Sequence, residues 1–584
     1  MVIVGAGIAG LTCAYELCQR WHQQQHQRQQ QDNDTEDNEA GRRLVITVLE
    51  ASDRVGGRIR LATPSLPTRT ASGCPADDHP TTTTSSSSES SSCQCWVGNQ
   101  GAEIVHCSGH VLTEYFQRLC NVDIVRSSTH VFVASHADGG PNDEPTRDLQ
   151  QIGMYYLGTS CGNDKKVALV PYTDPRIVQL SNVLEDVLAL SSDSDSDNDK
   201  EPASVGQAIR QGLSNNNTNN LSPLDQQLLY QLAVASFGNT AGCGTDLDSL
   251  SRNMLQHFEH HWENHEIEGD YFPPHDQGGM YAIVDALYKE LLKEPTNNLQ
   301  ISIRLGHKVT KIQSSVSADK TTVTMNCSDC DSDCRVSSQT LDVDAVVVTV
   351  PPSVLPEIDM ELSQAKLDAL SYVGLERIVK VCLKFRRALW PSNLQSMVCV
   401  TDSLDETTKA HNTQAMVYAP EMWFIKVAPC RNGIVPCTCP DDADSAFRAV
   451  AFLVGDSADV FVHRLQLEQV STGQSLTEVA SSLIVRQMSQ MFHVTVADLQ
   501  NALEDAHYYD WADHPTIRGG YMYPKVGLTP EHLQALAAPM NNKIFFAGEA
   551  TNTNACCTVQ AAMETGIRAA NEVYEQLLGK KCVP

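Results

Sequence analysis

The chain has 584 residues, 41 % of them hydrophobic, enough for two or more domains around a large core. Its formal charge of −29, from 71 acidic against 42 basic side chains, argues against nucleic acid as a direct partner. No apolar run reaches the ~20 residues that cross a bilayer, and the twenty cysteines are scattered rather than spaced as a small secreted framework.

Val2, Ile3 and Val4 predict a short buried strand, and the residues from Ile8 onward have helical spacing. Between them Gly5, Gly7 and Gly10 form a G-x-G-x-x-G turn that aims a helix N-terminus at a dinucleotide pyrophosphate. Gly5 permits the turn, Gly7 lets the backbone approach the phosphates, and Gly10 lets helix and strand pack closely. Leu44 to Leu49 predicts the next strand, which ends in Glu50, an acceptor for the adenosine ribose hydroxyls. The separation exceeds the usual ~20 residues because residues 22–43, Gln-rich and then acidic, read as a surface-loop insert. Arg54-Val55-Gly56-Gly57-Arg58 follows at once. Two glycines and a fixed cation behind the acid extend a phosphate-binding surface and suit a flavin dinucleotide better than a nicotinamide one.

With these residues in place the sequence resembles the flavin-containing amine oxidases, which include polyamine oxidases, monoamine oxidases, histone lysine demethylases and L-amino acid oxidases. The same N-terminal pattern occurs in protoporphyrinogen oxidase and the carotene desaturases, so it points to FAD more sharply than to a substrate. The resemblance implies an α/β architecture, a Rossmann-type FAD-binding domain with a discontinuous α+β substrate domain. The expected division is 1–107, 271–352 and 506–584 for the FAD-binding domain and 108–270 and 353–505 for the substrate domain. Disordered inserts are expected at 22–43, 62–95 and 191–203, on composition.

Order is expected to resume at Trp96. Gly101 and Ala102 fit the family segment that runs beneath the flavin, where small residues let backbone pass a flat ring. His106 falls on the family's active-site histidine, whereas Asn99 and Ile104 depart from the usual acidic residue and Trp. Ile104 stands where L-amino acid oxidases carry an arginine for the substrate carboxylate, which counts against amino-acid substrates. Residues 108–269 read as mostly helical, and Gln277 to Ala282 open an amphipathic helix back toward the flavin domain. Two short strands around a turn follow at residues 301–312, and by resemblance the backbone of Val309 binds the adenine. Cys327, Cys330 and Cys334 lie in an acidic insert without a fourth ligand at clear spacing, which favours a solvent-exposed hairpin tip; no metal is expected. Asp344 to Val350, stopped by Pro351 and Pro352, predicts a buried strand leading out into the substrate domain.

Ile378 to Phe385 alternates, giving a strand with one apolar and one mixed face. Lys380 coincides with the family lysine that holds a water against the flavin, and a cation there stabilises negative charge developing on oxygen. A buried strand at 449–455, a helix from Leu476 to Phe492 and a segment from Trp511 to Tyr523 come next. By resemblance Tyr521 is one wall of an amine cage. Monoamine oxidases attach FAD through a cysteine in this stretch; none occurs between Cys439 and Cys556, so FAD is expected to be non-covalent. Lys543 to Thr551 predicts a strand ending in Gly548-Glu549, followed by a helix from Val559 whose N-terminus faces the flavin pyrimidine. Ala9, Gly548, Glu549, Thr558 and Val559 complete the implied cofactor contacts. Thr558 stands where polyamine oxidases and lysine demethylases have threonine in place of a second cage tyrosine, leaving a wider tunnel.

The resemblance implies FAD-dependent oxidation of a small amine, of polyamine type, with dioxygen as acceptor and aldehyde, a smaller amine and hydrogen peroxide as products. In it Lys380 serves the oxygen reaction, His106 orients the amine, and Tyr521 and Thr558 shape the pocket. Two alternatives stay open: a protoporphyrinogen-oxidase-like or desaturase-like enzyme, and a demethylase-like chromatin protein. A soluble protein is expected, with the cytoplasm as default compartment. The oligomeric state and the true start of the chain are not legible.

Overall fold

The computed structural model describes residues 1–31, 43–61, 100–108, 111–121, 125–126, 151–158, 166–171, 175–188, 203–214, 221–233, 245–262, 267–272, 278–293, 298–314, 320–328, 336–391, 394–401, 419–427 and 446–578. The expected insert at 62–95, residues 191–202, and Asn99, Cys330 and Cys334 lie outside them.

Five short strands form a parallel sheet in the order Ile544–Phe546, Val346–Val348, Val2–Val4, Leu44–Leu49, Leu299–Arg304. Their nearly continuous apolar sequences match a sheet covered on both faces. Ile3, Val347 and Phe545 point into a core shared with the helices Ile8–Gln31, Tyr281–Leu291 and Val559–Leu578. Val2, Val4, Val346, Val348, Ile544 and Phe546 point the other way, onto Val309, Ile312, Val323 and Met325. Those four belong to a three-stranded antiparallel sheet of His307–Gln313, Thr321–Ser328 and Val336–Val343. This is the Rossmann-type layer, with helices on one side and a small sheet on the other.

The glutamine run read as loop behaves differently. The first helix continues to Gln31, carrying residues 22–31 with it, because glutamine is a good helix former and Trp21 and Gln24 are buried. Cys327 also departs from its reading, since it is 1 % exposed within the core beneath the small sheet rather than at a solvated tip.

The second layer is a seven-stranded sheet ordered Leu503–Asp510, Ile378–Phe385, Ala446–Val454, Glu421–Val427, Leu394–Thr401, Gln151–Gly158, Lys166–Pro171. Its last two strands come from the stretch read as mostly helical, which supplies helices Pro175–Leu188, Val205–Ser214 and Pro223–Ala233 as well. Val379, Val381, Leu383 and Phe385 pack on helices Gly455–Thr472 and Leu476–Phe492. Ile378 and Cys382 face the opposite way, against Trp423, Phe452, Trp511 and Ile517. The face expected to be mixed is therefore buried too, and Lys380 lies on it.

Candidate functional site

The glycine turn follows directly from the first strand. Gly5 has φ +107°, and a Cβ there would sit 2.6 Å from Thr349 Oγ1. A Cβ on Gly10 would lie 2.1 Å from the Gly5 carbonyl oxygen, so only hydrogen lets the helix start against the strand. Gly7 is the opposite case: a Cβ would meet nothing within 4 Å, because that side of the turn faces an open cavity. Thr349, which sequence reasoning passed over, ties the turn by donating its hydroxyl to Val4 O at 2.9 Å and lying 3.2 Å from Gly5 O.

Glu50 sits at the end of the second strand, 8 % exposed. One carboxylate oxygen accepts from Ala6 N at 2.7 Å and the other from Ser52 N at 2.9 Å and Ser52 Oγ at 2.8 Å. The acid is thereby fixed beside the turn despite the long spacing. The strand bearing Val309 is held to it by His307 N donating to Glu50 O at 2.8 Å, and Val309 lines the same cavity. Gly57 closes over Gly7, with an added Cβ only 3.1 Å from Gly7 Cα. Arg54 shapes this loop by donating to the carbonyls of Gly57, Val55 and Ile59 at 2.6, 3.2 and 3.3 Å.

The C-terminal wall meets that loop. Arg58 donates to Gly520 O at 2.7 Å and to Glu549 Oε1 at 2.9 Å. Glu549 is 3 % exposed and also accepts from Met522 N at 3.2 Å and Cys557 N at 3.3 Å, so the protein's own donors hold it. Thr558 Oγ1 accepts from Ala561 N at 3.1 Å and caps the helix Val559–Leu578. Gly548, Thr558, Val559 and Tyr521 border the cavity.

Gly101 is required for a reason nearer at hand than a cofactor ring: a Cβ would fall 1.7 Å from Arg58 O and 3.2 Å from the Trp511 ring. Gly101→Ala is therefore expected to cost at least the ~1–3 kcal/mol of an overpacked core, read as a lowered melting temperature. Ala102 and Ala9 lie on the cavity wall. His106 is in the strand Val105–Ser108, opposite Asp270; its side chain lies outside the described part of the structure.

At the far end stands Lys380, 3 % exposed. Its Nζ donates to Gly101 O at 2.7 Å and to Glu103 Oε2 at 3.1 Å, and lies 4.7 Å from the centre of the Trp423 ring. The other Glu103 oxygen pairs with Arg448, which is wholly buried. Lys380 is opposite Phe452, and Phe452 is opposite Glu421, so the three form a row across one sheet face. Glu421 is itself buried and accepts from Trp423 Nε1 at 2.6 Å. Burial lowers Lys380 to about 8, against the opposing pull of Cys382 and Glu421, and lowers Arg448 to about 9.

Glu103, Glu421 and Arg448 were not singled out from sequence. The signal was there: each is a lone charge beside or within an apolar run on a strand or at its entry. Among the described residues no group of three or more His, Cys, Asp or Glu could hold a metal ion, and no helix is long and apolar enough to cross a membrane.

One cavity of about 480 Å³ joins both ends, lined by Gly7, Glu50, Arg58, Thr558, Lys380 and Trp423 among others. That size is ordinary for a cofactor or ligand site. Its polar lining fits a flavin dinucleotide: an open face at Gly7 beside a helix N-terminus, a fixed carboxylate acceptor, and a second helix N-terminus at Val559.

Residues 8–574 match the family described as flavin containing amine oxidoreductase. Rice (Oryza sativa subsp. japonica) polyamine oxidase 4 is 22 % identical over 592 residues, covering 100 % of this chain and 90 % of that protein. Probable polyamine oxidase 4 of Arabidopsis thaliana is 25 % identical over 51 % of this chain, and lysine-specific histone demethylase 1 homolog 3 of the same plant 24 % identical over 61 %. The chain spans 50 % and 19 % of the length of those two relatives. Among solved structures, a double mutant of putrescine oxidase superposes with a TM-score of 0.59 at 14 % identity, over 98 % of each chain. The wild-type enzyme bound to putrescine gives 0.58 at 14 % identity, over 99 % of this chain and 98 % of that one. The chain therefore belongs to the flavin containing amine oxidoreductase family and has the amine oxidase fold, with FAD as its cofactor.

Proposed function

We propose that the protein is an amine oxidase acting on a polyamine-like secondary amine, with dioxygen as acceptor. The observation that carries this reading is the meeting, in one cavity, of the glycine turn and Glu50 with the buried ammonium of Lys380. When bound, FAD supplies the chemistry of accepting a hydride from a carbon beside nitrogen and returning two electrons to dioxygen.

In this reading segments 1–107, 271–352 and 506–584 hold the cofactor. The N-terminus of the helix Ile8–Gln31 faces the pyrophosphate with Gly7 making room, Glu50 accepts from the ribose, and the Val309 backbone serves the adenine. The N-terminus of the helix Val559–Leu578, capped by Thr558, favours negative charge on the flavin ring. Tyr521, Trp423 and Phe452 form an aromatic wall that keeps water from the substrate's methylenes. His106 orients the amine. Lys380 steadies negative charge as it develops on oxygen.

A second reading, removal of methyl groups from lysine side chains, is favoured by the match to the histone demethylase homologue. Anaerobic mixing with mono-, di- and polyamines and with methyl-lysine peptides, while following the visible absorbance, separates the two. Bleaching by a polyamine is expected; bleaching by the peptides alone selects the second reading, and none at all defeats amine oxidation.

A further inference from the structure

The seven-stranded sheet puts two buried cations on one face. Arg448 lies opposite Lys384, four residues along the strand from Lys380, which is about 13 Å at 3.3 Å per residue. The sheet alone would hold Lys380 and Arg448 apart in a region that excludes water, with the buried Glu421, across Phe452 from Lys380, as an acid on the same face. Glu103 enters between them from the segment that follows Gly101 and Ala102. Its side chain has no exposed surface, and its two oxygens are divided, Oε2 to Lys380 Nζ at 3.1 Å and Oε1 to Arg448. Lys380 Nζ also reaches Gly101 O at 2.7 Å, so both its bonds go to one three-residue stretch of cavity wall.

We propose that Glu103, held from behind by Arg448, is the positioning residue that fixes the Lys380 ammonium at the cavity and keeps it charged. The inference rests on the reading that Lys380 serves the oxygen reaction. Breaking a buried ion pair leaves an uncompensated charge. With Glu103 neutral, Lys380 loses the carboxylate bonded to its ammonium and keeps only the through-space pull of Cys382 and Glu421. Lysine is the one that escapes by releasing its proton, since its ammonium holds the proton less tightly than the guanidinium does. Removing Arg448 acts in the other direction, because Glu103 then no longer shares its charge with that guanidinium. Charge on Lys380 thus depends on two residues that need not touch the substrate.

The test uses the FAD-loaded protein. In wild type the rate of oxygen reaction falls as pH rises through about 8, where Lys380 loses its proton. In Glu103→Gln that falling limb is expected at least one pH unit lower, with the rate recovered on acidification and the shift partly reversed in Glu103→Asp. In Arg448→Met, which serves if Glu103→Gln does not fold, the limb moves to higher pH. A purely structural role would lower the rate at every pH and leave the limb in place, and that result overturns the proposal. NMR of protein carrying 13C at the lysine ε-carbons follows the same titration without turnover, with the Lys380 signal assigned by its loss in Lys380→Met. If Lys380→Met leaves the oxygen rate unchanged, the reading beneath the proposal fails, while the NMR shift still decides whether Glu103 governs the lysine.

Discussion

Replacing Lys380 by methionine is expected to slow reoxidation of the reduced enzyme by dioxygen by about 10²–10³-fold, the usual loss when one preorganised electrostatic partner is removed. Reduction by the amine without oxygen should change far less. Methionine keeps the length and much of the volume of lysine, so the packing against Trp423 and Phe452 survives. Glu103 keeps Arg448 as a counter-ion, and Glu421 keeps its bond from Trp423. What disappears is the ammonium. The pH dependence goes with it: because burial lowers Lys380 to about 8, the charged form predominates below that pH and is lost above it. Wild-type oxygen rates should therefore decline from pH 7 to pH 9, while those of Lys380→Met stay low and flat. Stopped-flow mixing of the reduced enzyme with oxygenated buffer reads both quantities, and equal rates for the two proteins would remove Lys380 from the mechanism.

Two alanines in the glycine turn should fail in opposite ways. Gly10→Ala places a methyl group 2.1 Å from a backbone oxygen that cannot rotate away. The helix must lift off the strand, at more than the ~1–3 kcal/mol of ordinary overpacking, and the protein should be unstable and colourless. Gly7→Ala puts its methyl into open space and should leave the melting temperature of the apoprotein unchanged. The same methyl occupies the approach a pyrophosphate needs, so FAD affinity should fall at least tenfold, about 1.4 kcal/mol. Thermal unfolding of apoprotein and titration with FAD, followed by quenching of its fluorescence, separate the two effects. If Gly7→Ala bound FAD as tightly as wild type, the cavity beside the turn would not be the phosphate site.

The short apolar strands at both ends of the chain and the glycine spacing are local patterns. A run such as Val2-Ile3-Val4 has no exposed face to offer, and glycine answers the positive φ at Gly5 and the nearby Gly5 carbonyl oxygen at Gly10. The same holds for the helix Val559–Leu578, whose cap, Thr558, is the residue just before it. Such features can be read from a string of letters because their causes lie close together in it.

The environment of Lys380 had its cause elsewhere. Alternation along Ile378 to Phe385 assigned the lysine to a face, but not what would cover that face. The cover comes from Gly101 to Ile104, almost 280 positions away, and from Trp511 and its neighbours. The glutamine run was misread for the reverse reason: low hydrophobicity suggests a loop, yet a helix already nucleated and anchored by Trp21 extends into it at little cost. By itself, then, the sequence determined a dinucleotide-binding turn and the family of its fold, since backbone sterics and strand burial are set locally. Only the tertiary structure decided that Glu103 and Arg448 share a buried ion network with Lys380, because long-range burial chooses which charges lose water together.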